Sequence, residues 1–309
     1  MAKRATRESY GSALVEYGKD ERIVVLDADL SKSTKTEMFK KAYPDRFFNA
    51  GIAEGNMMCV AAGLAASGKI AFASTFAMFA SGRAFEQIRN SIGYTNLNVK
   101  IGATHAGISV GEDGASHQCL EDITLMRSIP NMVVINPADD IEAQLAVKAA
   151  IEHDGPVYMR FGRLVVEDVN PADYKFEIGK GVELADGKDV TIIATGLMVE
   201  MALKAREMLA GDGISARVVN IHTIKPIDRD IIIKASKETG AIVTAEEHSI
   251  YGGLGSAVCE VVADAAPCPV KVIGTDRFGC SGKPAELFKM YGLTPENICE
   301  KAKEAINLK

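Results

Sequence analysis

The sequence predicts an α/β protein: a parallel sheet flanked by helices, followed by a smaller parallel α/β domain. Short apolar runs alternate with helix-forming stretches along the chain of 309 residues. The apolar runs are nearly continuous, which is typical of strands buried on both faces of a parallel sheet. The alternation stops once, in a polar stretch over residues 163–180 that contains Pro171, and then begins again. These observations predict two α/β domains joined by a linker.

The first domain is predicted over residues 1–165. It begins with a helix in which Ala13, Leu14 and Tyr17 repeat at helical spacing. In chain order, the predicted elements are a helix over 5–18, a strand over 22–30, a short strand with a turn over 46–55, a helix over 56–68, a strand over 70–79, a helix over 81–94, strands over 99–107 and 132–139, a helix over 138–153 and a strand over 156–162.

A linker is predicted over residues 166–180, within the polar stretch. The second domain follows over 181–309 and repeats the alternation of strand and helix. Its predicted strands cover 190–196, 216–222, 241–248 and 270–275, and its predicted helices cover 199–211, 228–240 and 253–266.

Composition and charge exclude several classes of function. The net charge is −6 with no extended run of Lys and Arg, so we expect no nucleic-acid binding. No apolar window is long enough to span a bilayer, so we expect no membrane segment. The six cysteines are scattered without a C-x-x-C pair, which argues against a zinc site and favours a reducing, cytoplasmic environment.

Polar candidates follow the predicted strands of the first domain, where parallel sheets bind ligands. The loop THAGISVGEDGASHQ over residues 104–118 is the richest, with two histidines and two acids between glycines. Long polar loops in compact domains are usually functional. Simpler interpretations stay open: loop histidines are often ordinary surface residues, and Phe76 and Phe79 at helical spacing are often core.

A lone carboxylate, Glu54, lies in AGIAEGNMM over residues 50–58, where an apolar helix is about to begin. Residue types alone allow two interpretations. An acid near a helix N-terminus is favoured by the helix dipole. A buried carboxyl group is also a frequent functional group, because low-dielectric surroundings strengthen its hydrogen bonds.

The order of the motifs decides between these interpretations, because it resembles the C-terminal half of a transketolase. The resemblance covers essentially the whole chain and consists of the pyrimidine-binding domain followed by the C-terminal domain of that family. The motifs that carry it are ADL (28–30), AGIAEGNM (50–57), STFAMF (74–79), THAGISVGEDGASHQ (104–118), TIKPID (223–228), EEH (246–248), GGLG (252–255) and SGKPAELFKMYG (281–292).

The resemblance implies a role for Glu54. In the family, a Glu at this position hydrogen-bonds N1′ of the aminopyrimidine of thiamine diphosphate. That contact stabilises the imino tautomer, whose exocyclic nitrogen removes the proton from C2 of the thiazolium ring. Glu54 and His117 are therefore the expected catalytic residues.

The resemblance also implies the binding residues. The expected cofactor-binding residues are Leu30, Glu54, Phe76, Phe79 and His117. The expected substrate-binding residues, which would hold a sugar phosphate, are Arg7, Ser33, His105, Asp113 and Arg163; Arg160 is close enough in sequence to compete with Arg163. Many family members carry a Tyr where this chain has Gly82, so part of the pyrimidine wall must come from elsewhere.

A complete transketolase also has an N-terminal domain, which binds Mg²⁺ and the diphosphate. The chain resembles the C-terminal subunit of a split transketolase, so the resemblance implies an N-terminal partner subunit that carries the Mg²⁺. It further implies self-association through the pyrimidine-binding domain, with two copies of each chain, and sugar-phosphate substrates.

Three alternatives remain open from the sequence. 1-Deoxy-xylulose-5-phosphate synthase and the beta subunits of 2-oxo-acid dehydrogenases share this two-domain layout, although the GEDGASHQ loop favours transketolase over both. An inactive relative that acts as a scaffold is the third, and the retention of Glu54, both phenylalanines and both histidines speaks against it.

Overall fold

The computed structural model describes residues 3–171 and 173–309. Met1 and Ala2 of the predicted first domain, and Ala172 of the predicted linker, lie outside the described residues. The described chain forms a seven-stranded sheet, a five-stranded sheet and a two-stranded ribbon. The predicted fold class, a parallel sheet flanked by helices followed by a smaller α/β domain, is confirmed.

Every predicted apolar run overlaps a strand, most of these strands are shorter than predicted, and four further short strands were not predicted. The strands are β1 (Lys3–Ala5), β2 (Ile23–Asp27), β3 (Phe47–Asn49), β4 (Ile70–Phe76), β5 (Val99–Thr104), β6 (Val133–Ile135), β7 (Val157–Arg160), β8 (Val165–Glu167), β9 (Val182–Ala185), β10 (Val190–Ala194), β11 (Ala216–Asn220), β12 (Thr223–Lys225), β13 (Ile242–Ser249) and β14 (Val270–Thr275).

The α-helices cover these strands and add elements that the apolar pattern did not reveal. The helices are α1 (Thr6–Tyr17), α2 (Ser31–Thr34), α3 (Glu37–Ala42), α4 (Glu54–Ala66), α5 (Phe85–Gln87), α6 (Asp122–Arg127), α7 (Asp140–Glu152), α8 (Met198–Gly211), α9 (Arg229–Thr239), α10 (Leu254–Ala265), α11 (Pro284–Met290) and α12 (Pro295–Ile306). Within the described ranges, no helix is both long enough and apolar enough to cross a membrane.

The large sheet has the order β12-β6-β7-β5-β4-β2-β3. Its six strands from the first half of the chain are parallel, and every residue of β2, β4, β5 and β7 is buried, as nearly continuous apolar runs predict. The edge strand β12 comes from the second half of the chain and pairs antiparallel with β6. The two halves are therefore joined by backbone hydrogen bonds.

The smaller sheet has the order β14-β13-β10-β11-β9. Its four predicted strands are parallel, whereas β9 adds an antiparallel edge strand that the sequence analysis did not predict. Helices α11 and α12, which both begin with a proline in the first turn, were not predicted either.

Two helix predictions need correction near the candidate site. Helix α4 begins at Glu54 rather than at residue 56, so the carboxylate belongs to the first turn. The helix predicted over 81–94 is not a regular α-helix. Two π-helical turns, Phe79–Arg83 and Ile88–Gly93, flank the single turn α5. Such wide turns are often found at functional sites.

The predicted linker is anchored rather than free. Strand β8 pairs antiparallel with β1, and the buried Asp139 carboxylate accepts hydrogen bonds from the backbone N–H groups of Val169 and Asn170. Glu142 accepts from Tyr174 Oη at 2.8 Å and from Asn220 Nδ2 at 2.8 Å, which connects the linker and the second sheet to α7. These contacts fix the second half of the chain against the first.

Candidate active site

The candidate residues collect at one edge of the large sheet. Because β2, β4, β5 and β7 are parallel, their carboxyl ends meet there. Leu30 follows β2, Phe76 ends β4, His105 follows β5 and Arg163 follows β7, while Glu54 starts the helix after β3. The topology thus brings together residues that are far apart in the sequence.

Asp27 orders the segment that carries Leu30 and Ser33. Its buried carboxylate accepts hydrogen bonds from Leu30 N at 2.6 Å, Thr34 Oγ1 at 2.7 Å and Thr36 Oγ1 at 2.9 Å. Burial raises the pKa of Asp27, and these hydrogen bonds oppose that rise. Asp27 is therefore a structural residue.

The Glu54 carboxylate is buried, with 2% of its surface exposed. Nη1 of Arg83 donates to both of its oxygens, at 2.9 Å to Oε1 and 2.8 Å to Oε2. The Arg83 side chain itself is 51% exposed, and its guanidinium carbon lies 4.4 Å from the centre of the Phe79 ring. A buried charge needs such a partner, since an unpaired ionised carboxylate in the interior is costly.

Aromatic rings form a wall beside this carboxylate. Phe76 and Phe79 are stacked with ring centres 5.8 Å apart, and Phe76 also stacks on His105 at 3.9 Å. His117 approaches the Phe79 ring edge-on at 5.4 Å, and its Nδ1 lies 3.0 Å from Ser116 Oγ. The sequence analysis allowed these phenylalanines to be plain core residues, but they pack against both candidate histidines.

The cationic side chain of Arg7 contacts His105, whose ring stacks on Phe76. Arg7 Nη1 donates to His105 Nε2 at 2.9 Å and to the backbone carbonyl of Ser33 at 3.2 Å. Because arginine can only donate, Nε2 of His105 must be unprotonated, which leaves the proton on Nδ1 facing Thr104 Oγ1 at 2.9 Å. Burial, followed by the nearby charges of Arg7 and Arg163, lowers the pKa of His105 to about 3. The imidazole is therefore neutral and orients Arg7.

The glycine-rich loop holds the acids opposite Arg163. Arg163 Nη1 donates to the carbonyl of Val110 and lies 4.0 Å from Asp113 Oδ2 and 3.8 Å from Glu112 Oε2. The segment Ile108–Asp113 is 3₁₀-helical on both sides of a kink at Gly111, and is therefore not an unstructured loop. Arg163 and Asp113 are both partly exposed, so they can contact a ligand.

Comparison with known proteins now identifies the family. Residues 2–167 match the family described as "Transketolase, pyrimidine binding domain", and residues 179–298 match "Transketolase, C-terminal domain". The chain belongs to the transketolase family.

Transketolase relatives cover the chain to different extents. A Methanocaldococcus jannaschii protein named for the C-terminal section of transketolase is 56% identical over 306 residues, which cover 97% of this chain and 96% of that protein. A solved structure of a split-gene transketolase, called an inactive β4 tetramer, superposes with a TM-score of 0.92 at 54% identity and covers 100% of both chains. Human transketolase is 38% identical over 303 residues, 96% of this chain but 48% of its own length. The chain thus spans about half of the full-length relatives.

The residues fit the pyrimidine half of thiamine diphosphate, the cofactor that transketolases use. A buried carboxylate next to stacked aromatic rings can hydrogen-bond a ring nitrogen while the rings cover a flat heterocycle. Gly55 follows Glu54 in the first turn of α4. A Cβ there would lie 3.3 Å from Gln87 Oε1, so Gly55 allows α4 to pack against α5.

Arg160 and Arg163, the two candidates for a phosphate ligand, have different surroundings in the structure. Arg160 is buried: its Nε donates to Asp122 Oδ2 at 2.8 Å and its Nη2 to the carbonyl of Glu247 at 2.9 Å. A guanidinium committed to these contacts cannot reach a substrate. Arg163 is therefore the candidate phosphate ligand.

Met78 occupies space next to Gly82, where many transketolases have a Tyr. A Cβ on Gly82 would lie 2.3 Å from the terminal methyl of Met78. Arg83, the next residue, stacks its guanidinium on Phe79. In the structure, Met78 thus fills the space beside Gly82, and Arg83 lies on the Phe79 ring.

The sequence analysis missed two residues that hold the site together, Arg83 and Glu247. Buried Glu247, in the second half of the chain, accepts a hydrogen bond from Ser109 N at 2.5 Å. Gly107 has φ +83° and a Cβ there would lie 2.2 Å from the Glu247 carboxyl carbon, so only glycine fits. The EEH motif was a usable signal for Glu247, but no spacing rule connects Arg83 to Glu54.

Proposed function

We propose that this chain is the C-terminal subunit of a thiamine-diphosphate-dependent transketolase, which transfers a two-carbon ketol unit from a ketose phosphate to an aldose phosphate. One observation carries the proposal: the buried Glu54, the stacked pair Phe76 and Phe79, and the Arg7–His105 pair lie at a single sheet edge. An acid with aromatic rings suits an aminopyrimidine, and cations suit a phosphate.

Glu54, Leu30, Phe76, Phe79 and His117 would hold the aminopyrimidine. When bound, thiamine diphosphate supplies the nucleophilic carbon and the electron sink for ketol transfer. Glu54 would hold the proton that it shares with N1′ of the ring, and its burial keeps water from competing for that hydrogen bond. His117 lies against Phe79 with partial exposure, where its imidazole would move a proton to or from a substrate oxygen.

Arg7, Ser33, His105, Asp113 and Arg163 would hold the substrate. Arg7 and Arg163 supply the positive charge for a dianionic phosphate. Neutral His105 would act mainly by holding Arg7 in place, since its Nε2 accepts from that guanidinium. Asp113, half-exposed and 4.0 Å from Arg163, would accept from the hydroxyl next to the substrate carbonyl.

The partner would be a separate N-terminal subunit that binds the diphosphate and Mg²⁺, with two copies of each chain in the complex. Two relatives that match this chain over nearly their whole length are named as subunits: a 6-deoxy-6-sulfo-D-fructose transketolase subunit at 43% identity and an apulose-4-phosphate transketolase subunit at 40% identity. Exposed apolar side chains next to α4, such as Ile52 at 78% and Phe48 at 45%, suit a self-association surface there.

We further propose the domain limits 1–165 and 181–309, with the linker 166–180 between them, and a place in the pentose phosphate pathway of the cytoplasm. The cysteines are free thiols, which suits a reducing compartment.

The test is ketol transfer from xylulose 5-phosphate to ribose 5-phosphate with thiamine diphosphate and Mg²⁺. The chain would be assayed alone and mixed with an N-terminal transketolase subunit, and the mixture would be repeated with the Glu54→Ala variant of this chain. Glu86→Ala, which changes an exposed acid nearby, is the matched control. We expect activity in the mixture only, lost with Glu54→Ala and kept with Glu86→Ala. Equal activity of the Glu54→Ala mixture would refute the role of Glu54.

The donor would be varied in the same assay, because relatives are named for different ketoses. Pyruvate as donor separates transketolase from the other families that share this layout. Carbon dioxide release from pyruvate, without ketol transfer from any ketose, would replace our proposal with a 1-deoxy-xylulose-5-phosphate synthase or 2-oxo-acid dehydrogenase activity.

A further inference from the structure

The Arg83 guanidinium makes two contacts at once. It donates from Nη1 to both Glu54 oxygens, at 2.9 and 2.8 Å, and its carbon lies 4.4 Å from the centre of the Phe79 ring. A guanidinium is flat, positively charged and rich in N–H donors. It therefore lies on an aromatic face while it hydrogen-bonds a buried carboxylate.

An aminopyrimidine that hydrogen-bonds Glu54 and stacks on Phe79 would need the same two surfaces. Both groups are flat, and each would place an N–H donor against the buried Glu54 carboxylate. We propose that Arg83 is a latch that holds Glu54 and one face of Phe79 in the cofactor-free chain, and that it leaves this position when the ring of the cofactor binds. The inference rests on the proposed cofactor role of Glu54.

The surroundings allow Arg83 to move while Glu54 stays. Glu54 is only 2% exposed, whereas half of the Arg83 side chain is exposed. A single nitrogen serves both carboxylate oxygens, which is weaker than a two-nitrogen fork. Arg83 also ends a π-helical turn, next to Gly82.

Loss of the Arg83 latch should change the stability of the free chain and its affinity for the cofactor in opposite directions. In the free chain, Arg83 compensates a carboxylate that would otherwise be buried without a partner. During cofactor binding, the same contact must be broken, and this lowers the observed affinity. Removal of the guanidinium should therefore destabilise the free chain and tighten cofactor binding. Loss of a purely structural contact would instead lower both the stability of the chain and its affinity for the cofactor.

The first experiment measures thermal unfolding of the free chain for wild type, Arg83→Met, Glu54→Gln and the double variant. We expect Arg83→Met to lower the unfolding midpoint, and we expect a much smaller effect of the same change in the Glu54→Gln background. Equal effects in both backgrounds would show that the two side chains are not coupled and would overturn the latch.

The second experiment measures the dissociation constant of thiamine diphosphate by calorimetry on the complex with the N-terminal subunit. We expect Arg83→Met to bind about fivefold tighter than wild type, as removal of a half-exposed ion pair of about 1 kcal/mol allows. Arg83→Lys keeps the charge but not the flat group, and should lie between the two. Arg89→Met, at an exposed arginine on the following π-helical turn, is the matched control and should bind like wild type.

The outcomes separate this inference from the proposed function. Unchanged or weaker binding by Arg83→Met, with normal binding by wild type, overturns the latch and leaves the transketolase proposal standing. Failure of the wild-type complex to bind thiamine diphosphate overturns both.

Discussion

Replacement of Asp122 by alanine should strongly destabilise the protein. The Asp122 carboxylate is 0% exposed and accepts from Arg160 Nε at 2.8 Å and from Tyr158 Oη at 2.9 Å. The substitution leaves the buried Arg160 guanidinium without its counter-ion. Breaking a buried pair in this way costs about 3–5 kcal/mol, because the remaining charge is desolvated and uncompensated. The effect should reach beyond α6, since Arg160 also donates to the carbonyl of Glu247 in the second half of the chain.

The assay is urea unfolding followed by circular dichroism. Glu37→Ala is the matched control, because its ion pair with Lys41 is exposed and should contribute less than about 0.5 kcal/mol. The double variant Asp122→Leu, Arg160→Met should recover at least half of the loss, since an apolar pair needs no compensation for charge. A cost below about 1 kcal/mol for Asp122→Ala would refute the reasoning.

Three further predictions concern the site. The free energy of unfolding of Glu247→Gln, measured by urea unfolding at each pH, should increase relative to that of wild type as the pH rises from about 5 to about 8. Burial raises the pKa of Glu247 to about 7, so wild type loses the stabilising protonated form as the pH rises through that value. A difference in unfolding free energy between the two proteins that stays constant with pH would contradict this. Nitrogen NMR should find His105 neutral, with its proton on Nδ1, down to about pH 4, because burial lowers its pKa to about 3; protonation near pH 6 would contradict the assigned tautomer. Arg163→Met should raise KM for a ketose phosphate by roughly 10- to 100-fold, the value of one hydrogen bond to a charged group, and should hardly change KM for the unphosphorylated ketose. Equal changes for both ketoses would exclude a phosphate contact.

Local patterns predicted the fold well because the inner strands β2, β4, β5, β6 and β7 of the large sheet are buried along their whole length. The run before Asp27 is apolar at every position, and such a run can only be satisfied between two layers of helices. The same patterns could not predict β12, because Thr223–Lys225 is short and pairs with a strand far away in the sequence. Register between distant segments depends on tertiary packing, which no local pattern encodes.

Site residues that lie in a family motif could be predicted from the sequence. Contacts that depend on how far and in which direction a side chain extends could not. The motif around Glu54 predicted a buried carboxylate, and the structure buries it. Its partner Arg83 follows from the π-helical turn Phe79–Arg83, since a regular α-helix would direct that side chain elsewhere. Arg160 and Arg163 looked alike in the sequence because only the buried Asp122 distinguishes their surroundings.

The second half of the chain contributes to the site by holding the glycine-rich loop in place. Glu247 accepts from Ser109 N, and Gln118 Nε2 donates to the carbonyls of Gly111 and Cys280, so both ends of the loop are fixed against the second half. Asp113 and His117 lie between these anchors. Changes in the second half should therefore alter the positions of Asp113 and His117 without touching any ligand, which makes its packing part of the geometry that the proposed reaction requires.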